Sequence, residues 1–183
     1  MKKGSTNNLM FMSLAIVINF IGCTLALILR LPVYLDSIGT IFAAIIMGPV
    51  GGCVVGALTA LINGFTMDPV SLYFIPTQVI LGLMAGIFFN KMQLKGLKAT
   101  GAVFLMGTVI AMVSSLIVVW VFGGVTSSGS SLIVALLKNL GVDLWVSVFV
   151  TQVVTDVLDK FICTALAFAV VRLMPFSLRQ KLS

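Results

Sequence analysis

LWVSVFVTQVVTDVLDKFICTALAFAVV, residues 144–171, is an apolar run with Asp156, Asp159 and Lys160 set inside it. As a helix it would measure about 42 Å, more than the roughly 30 Å of a bilayer's hydrocarbon core. Ionisable groups at that depth are costly unless they have partners or line a polar cavity. The chain therefore either binds something polar inside a helix bundle or uses these groups to hold the bundle together. Gln152, Asp156 and Lys160 are spaced four apart and share one helical face, so Asp156 and Lys160 form a possible i,i+4 pair. Asp159 points about 100° away from Lys160 and needs another partner. With helix entry near residue 144, Gln152 lies about 12 Å and Asp156 about 18 Å along the axis. A ligand entering there would meet Gln152, then Asp156, with Lys160 at or bracing the floor. The competing reading is a salt-bridged lock without a ligand.

The rest of the chain sets the class. Of 183 residues 60% are hydrophobic, and the charges are 11 Lys and Arg against 5 Asp, with no Glu and no His. That composition belongs to membrane proteins. The sequence predicts a single all-α membrane domain over residues 1–183, with six transmembrane helices at about 9–29, 37–48, 50–65, 72–90, 99–122 and 144–171. Gly48-Pro49 divides the second from the third, and the second is short for a full crossing. GGVTSSGSS, residues 123–131, is a break, followed by a short amphipathic helix at 132–140. Met1-Lys2-Lys3 is positive, but no small-residue cleavage site follows, so residues 9–29 read as a retained span.

The net charge of +6 does not point to nucleic acid, because the basic residues flank apolar segments instead of forming a patch. Lys2, Lys3, Lys91, Lys95, Lys98, Arg172, Arg179 and Lys181 fall on one side of a six-span chain, leaving Arg30 and Lys138 on the other. The positive-inside rule then predicts that both termini are cytoplasmic. Cys23, Cys53 and Cys163 lie alone in three spans, with no CxxC or Cys/His cluster, so neither a metal centre nor a disulfide framework is implied. No P-loop, HExxH or GxSxG pattern is present. The expectation is a protein without catalytic residues, cofactor or metal, with any ATP hydrolysis carried out elsewhere.

Small residues mark the close helix contacts. Gly52, Gly56, Ala60 and Gly64 recur every four residues, and Ala15, Asn19, Gly22 and Ala26 form a similar face on the first span. Both suit packing within the chain, and the first span is also the best candidate for docking on a partner protein. Tyr34, Asp36, Asp68, Asn139 and Asp143, with Tyr73 and Trp145, gather at one end, either as an aromatic belt or around a pocket. Asn63 and Gln78 place amides in apolar spans, where each needs hydrogen bonds from another helix or a ligand.

The run LRLPVYLDSIGTIFAAIIMGPVGGCVVGALTALINGF, residues 29–65, resembles the second and third helices of substrate-binding S components of energy-coupling factor (ECF) vitamin transporters. The Leu-Pro-x-Tyr-Leu-Asp-Ser-Ile-Gly-Thr start, the Gly48-Pro49 turn and Asp159-Lys160 in the last helix carry the likeness. It implies a non-catalytic subunit of a bacterial or archaeal cytoplasmic membrane that binds a small vitamin near the outer surface. It also implies association with a membrane-embedded coupling (T) subunit and two cytosolic ATPase subunits. By location, Tyr34, Asp36 and Asp68 would form the pocket rim, Tyr73, Gln78 and Asn139 its side, and Trp145, Gln152 and Asp156 its last-helix wall. Asn63, Asp159 and Lys160 would give polar support. In many relatives an Ala-x-x-x-Ala face on helix one meets the coupling subunit, and here Ala15/Asn19 and Gly22/Ala26 stand in that region. The motif is closest to the pyridoxine or hydroxymethylpyrimidine type, so the implied ligand is a vitamin B6 vitamer or hydroxymethylpyrimidine. Riboflavin or another vitamin is the alternative, as is a stand-alone secondary transporter of small solutes. The lack of His and of a Cys/Met cluster argues against nickel or cobalt as cargo.

Overall fold

The computed structural model describes residues 3–90, 94 and 96–174. Lys2, Lys91, Lys95, Arg179 and Lys181, which entered the sidedness argument, lie outside the described residues. The chain order is α1 (Lys3–Ile28), α2 (Ile38–Thr66), a 3-10 helix (Pro69–Phe74), α3 (Ile75–Phe89), α4 (Leu97–Phe122), α5 (Ser130–Asn139) and α6 (Leu144–Leu173). No strand occurs among the described residues, so the all-α bundle stands.

The expectation of six transmembrane helices is corrected. Among the described residues four helices are long and apolar enough to cross a membrane: Asn8–Ile28, Ile38–Thr66, Pro69–Phe89 and Leu97–Phe122. The six-span count fails for two physical reasons. The run at 37–48 is interrupted at Gly48, whose φ is 78° and ψ −171°, and is too short to cross about 30 Å of hydrocarbon by itself. The last helix is long enough, but no 18-residue stretch of it avoids Asp156, Asp159 and Lys160.

The bend in α2 is a reversal. Asn19 Nδ2 on α1 donates to Thr40 Oγ1 at 2.9 Å and to Thr59 Oγ1 at 3.1 Å. Along a straight helix those threonines would be about 28 Å apart. One amide can reach both only because residues 49–66 fold back beside residues 38–47. Gly48 makes this possible because a positive φ brings no steric clash to a residue without Cβ. The first arm, at 1.5 Å per residue, rises only about 15 Å.

The small-residue faces set how closely the helices pack. Gly52 lies against Gly82, with only 2.7 Å from a methyl placed on Gly52 to the Gly82 carbonyl oxygen, and Gly56 lies equally close to Gln78. With Pro49 against Gly86, the second arm of α2 and α3 run antiparallel in backbone contact. Gly39 meets the Ala15 backbone in the same way. Asn19 Oδ1 accepts from Gly39 N at 2.6 Å, tying α1 to the start of α2. On the other side Gly107 of α4 seats against Val157 of α6. Phe42, Phe89, Leu81 and Met106, all fully buried, fill the space between these pairs. Leu14, Val17, Ile21 and Leu25 of α1 face outward, about half exposed. This places polar side chains on the inside of an apolar exterior.

Candidate functional site

Near the ends of α1, α3 and α4 the bundle opens into a cavity of about 80 Å³. Its polar lining comes from separate elements: Tyr34 and Asp36 from the α1–α2 connection, Asn63 from α2, Gln78 from α3, Ser114 from α4, and Asp156 and Lys160 from α6. Asp68, Thr126, Ser127 and Ser128 are at the loops, while Ala26, Leu27, Phe74 and Ile110 supply apolar wall.

The α1–α2 connection is held in place by α6. Asp159 Oδ1 accepts from Tyr34 N at 3.0 Å and from Leu35 N at 2.8 Å. Leu35 has a φ of 51°, a left-handed conformation that is unfavourable for a leucine and persists here under those two bonds. Asp159 Oδ2 also pairs with Lys160 Nζ at 2.6 Å, and the same ammonium donates to Ser37 Oγ at 3.1 Å. The i,i+4 pair of Lys160 with Asp156 expected from spacing is therefore replaced by a pair of sequence neighbours. Helical spacing fixes where Cβ points, but the long lysine stem swings its head to the carboxylate that the connection has already fixed. This anchoring delivers Tyr34 and Asp36 to the cavity.

Asp36 Oδ2 accepts from Gln78 Nε2 at 2.7 Å and its Oδ1 from Ser37 Oγ at 2.8 Å. Gln78 Oε1 accepts from Thr40 Oγ1 at 3.3 Å, closing a chain of amide, hydroxyl and carboxylate across three elements. Burial lifts the Asp36 pKa above the ordinary carboxylate range, against the pull of Lys160. Asp156 Oδ2 accepts from Ser114 Oγ at 2.7 Å. The Tyr34 hydroxyl donates to Gln152 Oε1 at 3.1 Å and lies 3.2 Å from Ser130 Oγ. Its pKa is pushed up to about 12, by burial first and then by the charge of Asp156, so it remains a neutral donor at physiological pH. Among the described residues, two buried polar atoms in this region have no partner, Asn63 Oδ1 and Gln152 Nε2. An unpartnered buried acceptor or donor costs about 1–3 kcal/mol.

Tyr34, Asp36, Asn63, Asp68, Gln78, Asp156 and Lys160 thus share one cavity. Gln152 sits behind it through Tyr34, and Asp159 holds the connection without lining the space. Tyr73, Asn139 and Trp145 are elsewhere. Tyr73 is 54% exposed with its ring edge-on to Phe122, Trp145 is 44% exposed on the first turn of α6, and Asn139 is exposed where α5 ends. Asp68 accepts from Val70 N and from Ser127 Oγ, joining two loops at the mouth. Ala15, Asn19, Gly22 and Ala26 face inward and are buried, the first three against α2 and the connection, and Ala26 against the cavity. Ser114, Cys23 and Phe74 line the space without having been singled out by the sequence. A serine inside an apolar span normally bonds its own helix, so nothing in the sequence marks Ser114 as facing a carboxylate.

The arrangement offers carboxylates, an amide oxygen and hydroxyls around an apolar-walled void, which suits recognition of a small polar solute. Among the described residues no three His, Cys, Asp or Glu converge closely enough to hold a metal ion. A family model described as "ECF transporter, substrate-specific component" matches residues 7–171. Neither a curated protein nor a solved structure matches the chain.

Proposed function

This chain belongs to the family of substrate-specific components of ECF transporters, and we propose that its cavity binds a small water-soluble vitamin or vitamin precursor. The family makes the chain a multi-pass membrane binding subunit of a transport complex and not an enzyme. The best match among ligands is a vitamin B6 vitamer or hydroxymethylpyrimidine: a flat ring for Phe74 and Tyr34, with hydroxyl or amine substituents for Asp36, Gln78, Asn63 and Asp156. The bound solute is passed into the cell through a membrane-embedded coupling subunit driven by two cytosolic ATPases.

The observation that carries this reading is the unpartnered Asn63 Oδ1 in a residue that is 2% exposed and lines the cavity. A purely structural polar lock satisfies its own groups. A receptor leaves some for the ligand. Titration of the detergent-purified chain with a vitamin panel tests it. Tight one-to-one binding, with uptake into vesicles requiring ATP and the coupling module, is expected. Absence of binding by monodisperse protein would overturn the reading, and uptake by the chain alone would replace it with secondary transport.

A further inference from the structure

The cavity has an imbalance of charge. Asp36, Asp68 and Asp156 line it, and Asp159 stands directly behind it, four carboxylates in all. Among the described lining residues the one cation is Lys160, which is already committed to Asp159 at 2.6 Å. Among the described residues, Asp36 and Asp156 accept hydrogen bonds only from neutral donors, the Gln78 amide, the Ser37 hydroxyl and the Ser114 hydroxyl. Asn63 Oδ1, unpartnered and buried, adds another acceptor to the same space. A buried carboxylate whose direct hydrogen-bond donors are all neutral is stabilised greatly by a cation arriving beside it. The carboxylates do not converge on one point, so a metal ion does not suit them. They do suit an extended molecule.

We propose that the cavity selects an organic cation, a ring bearing an ammonium or amidinium group, with its charge facing Asp36 and Asp156 and a further N–H or O–H on Asn63 Oδ1. The inference rests on the vitamin-binding reading above and narrows it by charge. Anionic vitamins, which would bring a carboxylate or phosphate against Asp36 and Asp156, are excluded by the same electrostatics. Neutral vitamers of equal shape bind, but more weakly, because a charge-assisted hydrogen bond is roughly twice as strong as a neutral one.

One skeleton in three charge states tests this. The purified wild-type chain is titrated with pyridoxamine, pyridoxine and 4-pyridoxic acid, and in parallel with thiamin, riboflavin, biotin and pantothenate. The expected order is cation above neutral above anion, with the cation favoured over its neutral counterpart by about tenfold or more. Asp156→Asn and Asp36→Asn keep the side-chain shape and remove the charge. Each should erase most of the preference for the cation while the neutral compound loses little. Asn63→Leu serves as a second variant independent of charge and should weaken every ligand that binds. Tightest binding of a neutral or anionic vitamin would overturn the charge assignment and leave vitamin binding intact. A folded protein that binds none of the panel would overturn both. A cation preference unchanged in both Asn variants would also refute it, since the selectivity would then arise elsewhere.

Discussion

Replacing Asn19 by leucine removes the polar centre around which α1 and both arms of α2 assemble. The residue is fully buried and makes three bonds, donating to Thr40 and Thr59 and accepting from Gly39 N. Gly39 N lies in the first turn of α2, where a backbone N–H has no acceptor within its own helix. The Asn19→Leu change would leave that N–H unpaired at about 1–3 kcal/mol and remove two hydroxyl bonds worth about 0.5–1.5 kcal/mol each. The total is about 2–6 kcal/mol, and the threonines recover part of it by turning to carbonyls of their own helix. The expected loss is therefore about 2–4 kcal/mol. Reversible unfolding in mixed micelles measures it, with Thr24→Ala as control. Thr24 bonds only the Phe20 carbonyl one turn back, so its removal should cost within about 0.5 kcal/mol. An Asn19→Leu protein as stable as wild type would refute the reasoning. If that same protein failed to assemble with a coupling subunit, Asn19 would be a docking residue instead.

Three further outcomes are expected. Gly82→Ala drives a methyl into the Gly52 backbone and should cost about 1–3 kcal/mol, whereas Gly101→Ala meets open space in α4 and should be neutral or stabilising by up to about 1 kcal/mol; thermal unfolding of both separates them. Lys160→Met leaves Asp159 without its ion-pair partner and removes a positive charge whose field reaches Asp36, and should destabilise by about 3–5 kcal/mol near neutral pH. Asp36 has a raised pKa in the fold, so its contribution is fully present below about pH 4 and is lost as pH rises through the folded value; the Lys160→Met defect should therefore grow with pH, read as the melting difference between about pH 5 and about pH 8. Tyr34→Phe strips Gln152 Oε1 of its donor and should weaken ligand binding and cost about 1–3 kcal/mol; an ultraviolet difference titration against wild type should show the missing phenolate forming only near pH 12.

The parts of the fold legible in the sequence were those set by local covalent rules. Gly48-Pro49 announced the reversal because proline lacks an N–H and glycine alone accepts a positive φ without strain. The spacing of Gly52 and Gly56 announced a close helix contact, but not that α3 would fill it. The span count came out too high where charge matters: every 18-residue stretch of α6 holds Asp156, Asp159 and Lys160, which the apolar residues around them mask. Polar residues inside apolar runs marked much of the candidate site, since an amide or carboxylate there needs a partner. Tyr73, Asn139 and Trp145 were grouped with the site because they share an end of the bundle. Their azimuth around that end depends on tertiary packing, which turns Tyr73 onto Phe122 and Trp145 outward. The Asp159–Lys160 pair was hidden for a related reason: a partner 125 residues away, Tyr34 N, decides where Asp159 points.

The most direct test is a density map of the chain with its tightest-binding vitamin. The solute is expected inside the cavity, in hydrogen-bond contact with Asp36 or Asp156 and with Asn63 Oδ1 no longer alone. A ligand bound instead at the exposed end near Asn139 and Trp145, with the cavity filled only by rearranged side chains, would contradict it.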